Sequence, residues 1–152
     1  RRARRRRCSR SSRMLVPVVM RQTLAFGILV VASLLACKSK SSGTITVNGA
    51  PFAVDTCRSG QANMPKFSGV DFLDSGGRRV RFLQQPDGKV QVYFFPPGST
   101  FTDMLGEGCG SMVMELQNSE VNGVKNIKGS VTANCTGGGN TVVASMTFEN
   151  CH

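Results

Sequence analysis

Apolar and polar residues along this chain follow three different patterns. Residues 1–13 are dominated by arginine, Leu24–Ala36 is an unbroken run of apolar or small residues, and from Thr44 onward apolar residues alternate with polar ones in short runs. Alternation with period two is the signature of a strand with one buried and one wet face. In "TITVNGAPFAV", Ile45 and Val47 alternate with Thr44 and Thr46, and Asn48-Gly49 suits a type I′ turn, whose two central residues need positive φ. Pairing Val47 with Ala50 sets Ile45 opposite Phe52, so both apolar sets share one face. Further on, Val70 and Phe72 point inward with Asp71 outward, and Val80 and Phe82 point inward with Arg79 and Arg81 outward. Val90, Val92 and Phe94 continue the pattern, as do Met112, Met114 and Leu116, then Ile127, Val131 and Ala133, then Val142, Ala144, Met146 and Phe148. "DSGG", "QQPDG", Asn122-Gly123 and "TGGGN" supply the turns. One segment breaks the alternation: Ser99 is placed to cap a helical turn carrying Phe101, Met104 and Leu105, ended by Gly106. About eight strands and no long helix predict an all-β domain, an antiparallel β-sandwich or small barrel.

The oily run reads differently from the strands. From Met20, a short basic start at Arg21 is followed by 13 apolar or small residues. At about 1.5 Å per residue these make a helix of roughly 20 Å, short of the ~30 Å hydrocarbon core, which is the proportion of a secretory signal. The run ends in Leu34-Leu35-Ala36-Cys37. This tetrapeptide resembles the lipobox of bacterial lipoproteins. The resemblance covers only about 18 residues after Met20. It implies cleavage before Cys37, a thioether-linked lipid on its thiol and acylation of the new amino terminus. It also implies a bacterial envelope location, and Lys38 in place of an aspartate leans towards the outer membrane. The simpler alternative is a secreted protein in which Cys37 is only a disulfide partner.

The expected organisation is therefore an upstream extension (1–19), a lipoprotein signal (20–36), a tether (37–43) and a β domain (44–152). Charge supports the division. Nine of the 19 Lys and Arg precede Cys37, whereas from Cys37 onward ten bases face nine acids, a net +1. The arginine cluster reads as untranslated upstream sequence of a GC-rich genome, with the true start at Met20 or Met14, or as a long signal start. No nucleic-acid partner is expected of the nearly neutral β domain.

With Cys8 and Cys37 set aside, Cys57, Cys109, Cys135 and Cys151 remain. Four cysteines in an exported chain suggest two disulfides, with three possible connectivities. If the strands flanking Asn122-Gly123 are neighbours, Cys109 and Cys135 meet at one end, which favours Cys109–Cys135 with Cys57–Cys151. Parity speaks against it: in regular pairing the two cysteines face opposite sides unless a bulge re-aims one.

Catalytic chemistry is sparse. His152 is the only histidine, and it is the last residue of the sequence. Asp71 with Asp74, and Asp103 with Glu107, are candidate carboxylate pairs without a supporting motif. No metal or cofactor motif is present. Arg78, Arg79, Arg81 and Lys89 could line up as a basic stripe. Tyr93, Phe95 and Phe101 could form an aromatic ligand platform, although packing against them is the favoured reading. The expected function is a non-enzymatic, membrane-anchored envelope lipoprotein with a binding or structural role. Its partners would be the membrane, through the lipid, and an envelope protein or glycan. The alternative is a carbohydrate-, lipid- or peptide-binding module using residues 93–101, and a hydrolase with loop carboxylates ranks last.

Overall fold

The computed structural model describes residues 38–99 and 102–152. Cys37, the leader and Phe101 lie outside the described residues. Nine strands form one antiparallel sheet: β1 (Lys40–Val47), β2 (Ala50–Pro51), β3 (Thr56–Ser59), β4 (Gly69–Leu73), β5 (Arg79–Gln84), β6 (Lys89–Phe95), β7 (Asp103–Val121), β8 (Val124–Gly137) and β9 (Asn140–Cys151). From β3 to β9 each strand pairs with the next, and β1 returns to the free side of β9 with β2 at its edge. The all-β, antiparallel expectation holds, with nine strands in place of about eight.

The hairpin turns follow from local chemistry. Val47 pairs with Ala50 across Asn48 (φ 54°) and Gly49 (φ 78°), and Phe52 donates its N–H to the Ile45 carbonyl. Asn122-Gly123 closes β7–β8 and Gly138-Gly139 closes β8–β9 in the same left-handed conformation. Because each turn fixes register, the alternating apolar residues reach a common face. Phe72, Val80, Phe82, Val92, Val131 and Val142 are all almost inaccessible to solvent there. The sheet curls around this face into a half-barrel. Its curl brings Phe72 of β4 edge-on to Phe148 of β9 as well as to its neighbour Phe82, each with centroids 5.9 Å apart. The curl also brings β3 beside β9 and β1. Cys57 is bonded to Cys151, and the Ser39 and Thr56 hydroxyls are 3.2 Å apart.

Three expectations change. Lys40–Gly43, expected as tether, form the first half of β1, with Lys40 opposite Glu149. The helical turn expected near 99–106 is not formed by residues 103–106. Asp103 and Met104 pair with Phe94 and Tyr93, and period two puts Met104 outside and Leu105 in the core. A ladder with β6 satisfies these backbone groups along the whole segment, which an isolated turn does not. Finally, the parity obstacle to a Cys109–Cys135 bond disappears in a bulge. Lys89 pairs with Ser111 but Gln91 with Glu107, so four steps of β7 face two of β6. Gly106 (φ 154°) and Gly108 (φ 67°) supply the backbone this requires. Regular β7–β8 pairing begins only at Gly110, which frees Cys109 to turn inward to Cys135.

Candidate functional site

The outer face of β4–β6 carries the densest polar chemistry. Register sets Asp71 opposite Arg81 and Arg81 opposite Tyr93, with Leu73, Arg79 and Phe95 in the adjacent row. Asp71 therefore points outward as expected, yet it is completely buried. Arg81 covers it with a bidentate contact, donating from Nε to Oδ1 at 2.7 Å and from Nη2 to Oδ2 at 2.9 Å. Nη2 also donates to Asn63 Oδ1 at 3.2 Å. Arg79 approaches Asp71 at 3.9 Å, and its Nε is buried with no partner among the described residues. Burial first, then the nearby charges of Arg81 and Arg58, hold the Arg79 pKa below its ordinary value against the opposing pull of Asp71.

Aromatic rings interleave with these guanidinium groups. Arg79 lies 3.7 Å from the Phe95 ring centroid, and Arg81 lies 4.1 Å from that of Phe67 and 5.2 Å from that of Phe95. Cation–π stacking accounts for the burial of Phe95, which is 7% exposed. Tyr93 is half-buried. It joins Phe95, Phe67, Arg81 and Thr102 around a cleft of about 280 Å³. The candidate platform is thus a packed ring and a cleft wall rather than a row of exposed aromatics.

The other predicted groups are dispersed. Arg78 turns away from Arg79 and Arg81 to Asp74, with Nε 2.6 Å from Oδ2 and the backbone N–H 2.8 Å from Oδ1. Desolvation would raise the Asp74 pKa, but the Arg78 hydrogen bonds and charge outweigh it and bring it below the usual carboxylate value. Lys89 pairs with Asp87 at 3.0 Å, so the four cations make no continuous stripe. The candidate carboxylates have partners of their own. Asp103 accepts from Asn140 at 3.0 Å and Glu107 accepts from Gln91. His152 Nδ1 lies 3.0 Å from the Asn150 carbonyl. Among the described residues, no three or more His, Cys, Asp or Glu side chains group as a metal site, and no helix is long and apolar enough to cross a membrane.

No family model matches this chain, and no curated protein or solved structure is significantly similar to it.

Two features escaped the sequence reading. The first is a polar array on the outer face of β1, β9, β8 and β7. Register aligns Thr44, Ser145, Thr132 and Ser111 in one row and Ser42, Thr147, Ser130 and Val113 in the next. Its signal is visible in the polar half of each alternation, which the search for a core passes over. The second is a cleft of about 400 Å³ between the β7–β8 hairpin and the loop that precedes β4. Leu116 marks it. This residue shares the core-facing register of Met112 and Met114, yet it is 60% exposed.

Proposed function

We propose that this chain is a lipoprotein of the bacterial cell envelope, anchored at the outer membrane through Cys37, with a non-enzymatic β domain that binds or organises envelope components. One observation carries the reading: the folded part starts almost at the expected lipid. β1 begins at Lys40, so only Lys38 and Ser39 separate it from Cys37. The three extended steps from Cys37 to Lys40 reach about 10 Å, which keeps the sheet close to the headgroups. The charge distribution suits that position. All six lysines follow Cys37; five lie at or near the starts of β1, β4, β6 and β8, and Lys128 is the fifth residue of β8. These four strands run in the same direction, because neighbours in the sheet are antiparallel. The lysines therefore lie at the end where β1 leaves Cys37 and outnumber the acids that face them there, Asp87, Glu115, Glu120 and Glu149, which leaves a net positive end towards anionic headgroups. Replacing Cys37 with serine tests the anchor. The variant should leave the membrane fraction on alkaline extraction, and retention equal to wild type would overturn the proposal.

A second reading, ligand binding beside residues 93–101, is favoured by the cleft at Tyr93, Phe95 and Arg81. An acidic sugar or peptide suits its mixture of ring faces and guanidinium. Tyr93→Ala should weaken retention on such a ligand when compared well below the unfolding midpoint of the variant, and unchanged retention would remove this reading.

A further inference from the structure

The β7–β8 hairpin projects beyond its neighbours. Its pairing with β6 stops at Ser111, and its pairing with β9 begins at Ile127. Over this stretch the core-facing side of the hairpin is covered only in part, which explains the half-burial of Met114 and the exposure of Leu116. Across from it stands the loop 60–68, which contributes Phe67 and Lys66. The space between them is the 400 Å³ cleft, within the ~300–1,000 Å³ typical of small-ligand sites.

Its walls are chemically one-sided. Phe67, Met114, Leu116 and Val124 line an apolar trough that ends on the buried Ile127. Lys66 and Lys125, both exposed, contribute the charge, and no acid lines the cleft among the described residues. Neither lysine forms an ion pair with another described residue, whereas Lys89 and Lys128 do. Glu120 stands opposite Lys125 across the hairpin but does not line the cleft, so an apolar trough with two lining cations and no lining acid calls for a ligand that has an apolar chain and an anionic head. We propose that this cleft binds one acyl chain of an anionic amphiphile. The chain lies along Met114, Leu116 and Val124, and Lys66 and Lys125 hold the carboxylate or phosphate. Burial of the chain drives binding, and the lysines select against neutral heads. The site does not depend on Cys37 being lipidated.

Photo-crosslinking tests this on the full chain in phosphatidylcholine nanodiscs. The probes are palmitate with a diazirine in its chain and, in a separate arm, phosphatidylglycerol with the same chain. Peptide mapping should place saturable adducts on the β7–β8 hairpin and the 60–68 loop. Labelling in the first arm identifies a free fatty acid as the source, and labelling in the second identifies a bilayer phospholipid. Either supports the site. The double variant Lys66→Glu/Lys125→Glu, confined to exposed positions, should cut adduct yield by about tenfold or more, as expected when a charge-assisted hydrogen bond is lost. Unlabelled palmitate should compete far better than hexadecanol. Adducts spread over the outer face, no saturable adduct with either probe, or equal competition by hexadecanol would overturn the proposal.

Discussion

Asp71 holds together the outer face of β4–β6. Its carboxylate is buried, and Arg81 satisfies both oxygens while stacking on Phe67. Removing Arg81 leaves a buried carboxylate without its hydrogen bonds, with Arg79 at 3.9 Å as the remaining counter-charge. Arg81→Ala should therefore lower stability by about 3–5 kcal/mol, and Asp71→Asn in the same chain should recover part of the loss. Urea midpoints of the two single variants and the double variant measure this; equal and additive losses would show that the pair is not coupled. Asp74 gives a pH signature. Its pKa is lower in the folded chain than the unfolded value of about 3.9, so its contribution is complete above that value and is lost as the pH falls through the folded value. Asp74→Asn should therefore flatten the acid limb of the stability profile below about pH 4 and lower the plateau near neutrality. An acid limb identical to wild type would contradict this assignment.

Among the strands, the two disulfides differ in what they close. Cys57–Cys151 spans 94 residues and ties β3 to β9, whereas Cys109–Cys135 spans 26 within the β7–β8 pair. By loop-closure entropy the first is worth about 4.7 kcal/mol and the second about 3.5. Replacing Cys57 and Cys151 with serine should lower the thermal midpoint more than replacing Cys109 and Cys135, and the reverse order would show that strain or residual unfolded structure dominates. Much at this scale was legible in the sequence. The alternation Val80, Phe82 and Val90, Val92, Phe94 identified both strands and their buried faces, because period two is a local property. Asn48-Gly49 fixed its hairpin for the same reason. The rest depended on neighbours. Asp71 has the parity of a solvent-facing residue, and only register against Arg81 explains its burial. Leu116 has the parity of a core residue, and only the early end of β6 explains its exposure. The bulge at Gly106–Gly108 shows as glycines in the sequence, but its size is set by where β6 and β8 resume pairing. In the 93–101 region the aromatic cluster was visible, whereas the arginines that stack on Phe95 arrive from β5.

At the scale of the whole molecule, a single sheet curled on itself has two outer surfaces of different character. One is closed by stacked arginines and rings, and the other is an open array of hydroxyl side chains on β1, β9, β8 and β7. The clefts are distributed around this frame, the lysines lie towards one end of it, and the chain enters it at Lys40, three residues after Cys37. Under the proposed anchoring at Cys37, that short connection is what would link fold to function, because it sets how close the sheet lies to the membrane surface. Intact mass of the natively expressed protein, taken from the membrane fraction, tests the link most directly. The expected product is a chain beginning at Cys37 whose mass exceeds that of residues 37–152 with two disulfides by a diacylglyceryl group and an amide-linked acyl chain. A soluble, unacylated product that retains Met20–Ala36 would contradict it.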